Sequence, residues 1–269
     1  MTTAIEPTHG KERDDALTVC AISLIAAMLG DTLHEGVGHG ALALFTVADS
    51  GVVSTVAWSS AVDSRHVAAG GTLVNLAAAL VFWIVLVSAK KASPGWRYFL
   101  LLCVAFNLFT GTGYFCFSGV FNFGDWAVVI AGLPAHALWR VLLVAGGFAA
   151  YLGAVKMAGA GLVRYVGIPL GDKQRMKKLT LIPYTSAVSI MVAGGLLNPL
   201  GMQLIWQSAL PAAAGGDSGL LWLRDYIPKT AVPERGSGTV GRSYVWIASA
   251  AILSLLFIFV LGRGIHLHR

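Results

Sequence analysis

The chain alternates between long apolar runs and short polar stretches. Six runs are long enough to cross a bilayer, because a helix needs about 20 apolar residues to span about 30 Å of hydrocarbon. They lie at residues 16–48, 66–89, 96–118, 136–158, 179–211 and 244–262. This pattern predicts an all-α, polytopic membrane helix bundle of about six transmembrane helices. Residues 16–269 would form one membrane domain, and residues 1–15 a cytoplasmic N-terminal segment.

The composition agrees with a membrane protein. Hydrophobic residues make up 56% of the chain and charged residues only 12%, and the mean hydropathy is +0.72. The net charge of +6 raises the question of nucleic acid. However, the Lys and Arg residues lie in loops between apolar runs, where they set topology and contact lipid headgroups. We therefore expect the lipid bilayer as a partner and no nucleic acid.

The basic loops also predict an orientation. With six crossings both termini share one side, and that side collects thirteen of the 19 Lys and Arg residues. Positively charged loops favour the cytoplasm. We therefore expect a multi-pass protein of a bacterial cytoplasmic membrane with both termini cytoplasmic. The first run then crosses outward, and its second half lies in the outer part of the membrane.

Two runs are too long for one straight crossing. The first, as a helix of 33 residues, would measure about 50 Å. It must tilt, protrude or break, and Gly30-Asp31 or the glycines that follow are the expected place. The fifth contains Pro183 and Pro199, and Pro199 is expected to kink or end the helix, because proline removes a hydrogen-bond donor.

The first run carries the most informative motif. His34 and Glu35 are followed by three residues and then His39. This H-E-x-x-x-H pattern is one residue longer than the zinc metalloprotease motif H-E-x-x-H. On a regular α-helix, five steps of 100° place His34 and His39 about 140° apart, too far around the helix to share one zinc ion.

The extra residue leaves two arrangements open. A π-helical turn, which pairs residues i and i+5, would return both imidazoles to one face, and glycines at positions 36, 38 and 40 permit that distortion. Alternatively, a regular helix would place Asp31, Glu35 and His39 in one polar stripe. In either arrangement, ionisable groups inside an apolar run are costly and indicate function. The plainer interpretation is a helix that leaves the membrane near Gly30.

Other polar residues could complete a site. Asp125, in the loop after the third run, is a candidate third zinc ligand, or else the cap of a helix starting at Trp126. Asn75 could orient a ligand, bind a substrate carbonyl or join two helices by hydrogen bonds. Asp31 and Asn122 are further candidates for contacts behind the ligands. We assign His66 and His136 to the membrane interface.

Together these motifs resemble the site-2 protease family of intramembrane zinc metallopeptidases, over about residues 20–130. That family has H-E-x-x-H in one membrane helix, an A-G-P-x-x-N element in the next and an Asp-Gly ligand motif in a later one. Here the order is kept by His34 to His39, by Ala69-Gly70-Gly71 through Asn75, and by Gly124-Asp125. The resemblance implies that His34, His39 and Asp125 bind Zn²⁺ and that Glu35 is the general base. Asn75 would match the asparagine of the second element.

The chain departs from that pattern in four ways. The histidines are separated by one extra residue, Gly71 replaces the proline, Gly-Asp replaces Asp-Gly, and the charge distribution places the site toward the outer face. The resemblance implies a membrane-embedded zinc-dependent hydrolase that cleaves a membrane-protein or peptide substrate. The alternatives are a catalytically inactive relative and a transporter that uses its intramembrane ionisable residues.

Overall fold

The protein is an all-helical bundle with one small sheet. The computed structural model describes residues 13–62, 64–198, 203, 205–225 and 238–269. Within these residues, five helical segments are long and apolar enough to cross a membrane. This confirms the predicted fold class and is consistent with a multi-pass membrane protein. Of the predicted N-terminal segment 1–15, residues 1–12 lie outside the described residues.

The elements follow each other in a simple order. The helices are α1 (Ala16–Thr32), a π-helix (Leu33–Ala41), α2 (Leu42–Thr46), α3 (Arg65–Ser88), α4 (Pro94–Phe121), α5 (Asp125–Ile130), α6 (His136–Val166), α7 (Lys173–Gly195) and α8 (Tyr244–Phe259). The strands are β1 (Ser50–Val53), β2 (Trp58–Ser59) and β3 (Ile265–His268). Helix α4 lies at the centre and packs against α1, α3 and α6. It is the most buried of the five long segments, so polar residues on it face other helices.

The fifth predicted run is wrong in its extent. Helix α7 starts at Lys173 and ends at Gly195, and residues 205–209 and 211–215 form separate π-helical turns. Four basic residues occupy the first two turns of α7, and α7 is not among the five segments that could span a membrane. Pro199, which we expected to end this helix, lies outside the described residues.

A three-stranded antiparallel sheet was not predicted. Its strand order is β2-β1-β3, so β1 is central and β2 is an edge strand. Val53 faces Trp58 on one side and Ile265 on the other. The strands are only two to four residues long, too short for a recognisable alternation of polar and apolar residues. The sheet joins the segment after α2 to the last residues of the chain.

The contacts at the helix ends show how α1 and α8 run relative to each other. The backbone N–H of Asp15 donates to Val240 at 2.7 Å, and the N–H of Ser243 donates to Thr18 Oγ1 at 3.0 Å. Helices α1 and α8 therefore start side by side and run parallel, and β3 meets β1 beyond their far ends. Residues 13 and 269 thus lie at opposite ends of the bundle, and the side of the membrane on which each chain end lies stays a prediction.

The segment between α7 and α8 explains why residues 13 and 269 lie at opposite ends of the bundle. Helix α7 starts beside Asp14, to which Arg175 is bonded, and just beyond its end Asn198 donates to Ser54 at 3.0 Å. Because α8 starts again near Asp14, the chain recrosses the bundle after α7. The described part of that segment is made of short helical turns, which hydropathy does not identify as a crossing.

Candidate metal centre

A π-helix resolves the spacing of the two histidines. Residues Leu33–Ala41 are π-helical, in direct continuation of α1. Because a π-helix pairs residues i and i+5, His34 and His39 come to one face, and their Nε2 atoms lie 3.2 Å apart. The first of the two arrangements left open by the sequence is therefore confirmed. Both side chains are buried, with 3% and 6% of their surface exposed.

Glycines let α3 lie directly on the π-helix. A Cβ at Gly38 or Gly70 would collide with the backbone of the other helix. A Cβ at Gly71 would lie 2.5 Å from His39 Nε2 and 2.6 Å from His34 Nε2. At position 71, therefore, only a residue without a side chain leaves room for the two imidazoles.

Asp125 completes the group from the opposite side. It is the first residue of α5, and Gly124 before it has φ +83°, a conformation that favours glycine. Asp125 Oδ2 lies 3.2 Å from His34 Nε2 and 3.4 Å from His39 Nε2. Burial raises the pKa of Asp125, but the two facing imidazoles outweigh this effect, so its pKa lies well below the ordinary value. An ionised carboxylate therefore faces the two rings.

The other ring nitrogens determine which tautomers are present. His39 Nδ1 donates to the Val67 carbonyl at 2.7 Å, since a carbonyl can only accept. His34 Nδ1 lies 2.6 Å from Asn75 Oδ1. In a neutral imidazole with a proton on Nδ1, the Nε2 atom carries a lone pair. Partners of this kind are typical of metal-binding histidines, because they orient the ring and make it more basic.

A chain of buried amides fixes the orientation of Asn75. Its Nδ2 donates to Asn107 Oδ1 at 2.7 Å and to the Gly30 carbonyl at 3.1 Å. Asn107 Nδ2 in turn donates to the Cys103 carbonyl at 2.8 Å. Asn75 must therefore present its oxygen to His34, which donates. Both asparagines are fully buried, so Asn75 orients a ligand and also joins three helices.

One nitrogen from each imidazole and one carboxylate oxygen thus converge on a common point. The three atoms form a triangle with sides of 3.2, 3.2 and 3.4 Å. When both rings are neutral and carry their proton on Nδ1, the three atoms are all electron-pair donors and repel one another unless a positive charge lies between them. Within the part of the chain that the structure describes, it is the one group of three His, Cys, Asp or Glu residues that could hold a metal ion.

Glu35 lies next to this triangle and borders a large cavity. The backbone N–H of Trp58 lies near its carboxylate, and Oε2 has no hydrogen-bond partner among the described residues. The cavity has a volume of about 600 Å³, and Glu35, His39 and Asp125 all line it. Most of its other walls are apolar or aromatic, including Phe117 and Tyr151. A polar cluster therefore opens into an apolar chamber.

Not every predicted residue reaches the centre. Asn122 is exposed and ends α4, and its Oδ1 accepts a hydrogen bond from His136 at 2.9 Å. His66 bonds to Ser64 at the surface, in agreement with the interfacial assignment. Asp31 borders a second, smaller cavity rather than the triangle. The alternative stripe of Asp31, Glu35 and His39 assumed a regular α-helix, which the π-helix replaces from Leu33 onward.

Three contacts at the centre were not predicted from the sequence. The ring of Tyr114 stacks on His34 with centroids 4.7 Å apart. The Val67 carbonyl and the Trp58 amide supply backbone contacts to His39 and Glu35. Only Tyr114 had a usable signal, because it lies seven residues after Asn107 and therefore on the same face of α4.

No known protein family, curated protein or solved structure matches this chain.

Proposed function

We propose that the protein is a membrane-embedded zinc-dependent hydrolase that cleaves peptide bonds in membrane-protein or peptide substrates. The observation that carries this proposal is the triangle of His34 Nε2, His39 Nε2 and Asp125 Oδ2. Tetrahedral zinc with bonds of about 2.0–2.1 Å keeps its ligand atoms about 3.3–3.4 Å apart. The observed sides of 3.2–3.4 Å agree with that separation.

The set of donors also favours a catalytic zinc over a structural one. Two histidines and one carboxylate are a common set of protein ligands in hydrolytic zinc sites, where a fourth position stays open for water. When bound, zinc would lower the pKa of that water and polarise the scissile carbonyl. The open side of the triangle would face the large cavity, which His39 and Asp125 line.

Glu35 is suited to act as the general base. Its Oε2 is buried and has no partner among the described residues, so it is free to accept a proton from the attacking water. The Trp58 amide lies near the carboxylate. Glu35 would then pass the proton to the leaving amine.

The sheet offers a way to bind a peptide. Strand β2 is an edge strand, and Trp58 and Ser59 line the cavity next to Glu35. An extended peptide could pair with this edge through main-chain hydrogen bonds, and its apolar side chains would occupy the chamber. A helical substrate would first have to unwind, because a regular helix uses its carbonyls in its own hydrogen bonds.

We also propose an orientation that replaces the predicted one. Lys90, Lys91 and the four basic residues at the start of α7 lie at the end of the bundle where α1 begins. Positively charged loops favour the cytoplasm. Residue 13 would then be cytoplasmic, residue 269 would lie on the opposite side, and the metal centre would be nearer the outer face.

Metal content and hydrolysis together test this proposal. Purified wild-type protein should contain about one zinc per chain by mass spectrometry, and His34→Ala, His39→Ala and Asp125→Ala should lose it. Glu35→Gln should keep the zinc but slow cleavage of a membrane-spanning reporter peptide in liposomes by about 10²–10⁴-fold, the usual contribution of a general base.

Matched variants outside the centre serve as controls. His66→Ala and Asp49→Ala remove an imidazole and a carboxylate from exposed positions, and both should retain zinc and activity. A wild-type protein without zinc would overturn the metal assignment. A zinc-containing wild type that cleaves no better than Glu35→Gln would instead identify an inactive relative.

A further inference from the structure

A second, smaller cavity lies behind the metal centre. Its volume is about 40 Å³, and among its lining residues are Asp31, Glu35, Thr55 and Asp217. A volume of this size holds one ion or a very few water molecules. Glu35 borders both cavities. Of the three residues of the triangle, His34 borders only the small cavity, and His39 and Asp125 border only the large one. The small cavity, which we call the acid cavity, is therefore a distinct cavity that adjoins the metal centre.

Three residues that line only the acid cavity have a buried side-chain oxygen without a partner. These oxygens are Asp31 Oδ2, Asp217 Oδ1 and Thr55 Oγ1, none of which has a hydrogen-bond partner among the described residues. Asp217 is 6% exposed and Thr55 is fully buried. Buried polar atoms are nearly always paired with a protein group, a water molecule or an ion. The unpaired hydroxyl of Thr55 is evidence for a ligand that does not depend on the acidic residues.

The charges around the cavity select the kind of ligand. Three carboxyl groups line it, and no Lys or Arg appears among its described lining residues. The imidazole of His34 faces His39 and Asp125 with its Nε2 atom. The remaining side-chain atoms that could bind an ion are oxygens, which hard cations prefer. One divalent cation would neutralise both Asp31 and Asp217. Mg²⁺ is a poor candidate, because it gives up its water shell reluctantly and the cavity is too small for a hydrated ion.

We propose that the acid cavity binds a hard cation of the size of Ca²⁺ through the oxygens of Asp31, Asp217 and Thr55. The residues come from α1, from the turn at 216–218 and from the segment that links β1 to β2. The bound ion would therefore join the segment between α7 and α8 to the helix that carries the metal ligands. This inference goes beyond the hydrolase function and does not require zinc.

Titration calorimetry with Ca²⁺ on zinc-loaded wild-type protein tests the proposal. We expect one saturable site per chain and at least tenfold weaker binding in Asp31→Asn, Asp217→Asn and Thr55→Val. These near-isosteric changes should leave the zinc content unchanged. Asp49→Asn, which removes an exposed carboxylate by the same substitution, should bind Ca²⁺ like the wild type.

One further variant separates this site from the metal centre, and a second ion identifies what the site binds. Asp125→Asn should lose zinc but keep Ca²⁺ binding. Repeating the titration with Na⁺ identifies the bound ion. Na⁺ binding that is lost in the same three variants supports the site and shows that its ion is monovalent. The proposal is overturned if neither ion binds, if binding survives all three cavity substitutions, or if only Asp125→Asn abolishes it. The rise in unfolding temperature on addition of Ca²⁺, measured for the wild type and each single variant, provides a second readout.

Discussion

Two buried polar clusters lie toward opposite ends of the bundle and accommodate their charges in opposite ways. At the start of α1, Asp14 accepts hydrogen bonds from Arg175 at 2.8 and 3.2 Å and from the Val240 N–H at 2.8 Å. Here every acceptor meets a donor. In the candidate metal centre, His34, His39 and Asp125 present only acceptors to one another when both rings are neutral and protonated on Nδ1. The first cluster is complete in itself, whereas the second, in that state, needs a positive charge from outside the chain.

This difference separates stabilising residues from functional ones better than burial does. Asp14 and Glu35 are each 5% exposed, yet only Glu35 has an oxygen without a partner. A polar group that the chain itself satisfies should affect mainly folding when it is removed. A polar group that the chain leaves unsatisfied should affect mainly binding.

The largest expected effect on binding comes from Gly71→Ala. The new Cβ would lie 2.5–2.6 Å from both ligand nitrogens, so we expect loss of stoichiometric zinc, measured by mass spectrometry. Gly146→Ala adds the same methyl group to α6, where nothing lies within 4 Å of the place that the new atom would occupy. This control should keep its zinc. A Gly71→Ala protein that retains zinc would show that the close approach of α3 is not needed.

Asp14→Ala should have the opposite profile. It leaves the half-buried Arg175 without its carboxylate, which typically costs about 3–5 kcal/mol. We expect a clear fall in the midpoint of heat denaturation, while the folded protein still binds one zinc. Asp15→Ala is the matched control, because Asp15 only caps α1 and pairs with the exposed Arg242; a lost cap costs about 1 kcal/mol. Equal losses in both variants would contradict the comparison.

Asn75→Ala should produce a smaller change in zinc affinity. It removes the acceptor that orients His34, and loss of such a partner typically weakens metal binding by about 10–100-fold. Competition with a zinc chelator measures the affinity. Asn122→Ala removes a side chain that bonds only to His136 among the described residues and should leave the affinity unchanged. Identical affinities for the two variants would limit Asn75 to joining helices.

The candidate site was more predictable than its surroundings because its chemistry is local. His34, Glu35 and His39 lie within six residues, and the five-residue spacing allows only a π-helix if both imidazoles are to meet. Asp125 was found as an isolated carboxylate beside an apolar run. By contrast, Asp217 reaches the acid cavity through packing of a distant segment, and no spacing in the sequence indicates that contact.

The fold was predictable where hydrophobicity alone determines it. Helices α1, α3, α4, α6 and α8 begin within two residues of the predicted runs. The failures lie where tertiary contacts replace the apolar signal. The chain recrosses the bundle after α7 in short turns, and the strands form only because β1 meets partners from two distant parts of the chain.

The last residues of the chain are part of the wall that supports the edge strand. Strand β3 pairs with β1, and β1 pairs with β2, which contains Trp58. A purification tag fused after Arg269 would therefore disturb the hydrogen bonds that place Trp58 beside Glu35. On the proposed function, protein with such a tag would lose hydrolytic activity while its zinc content stays unchanged. A tag placed before residue 13 would leave the three paired strands undisturbed.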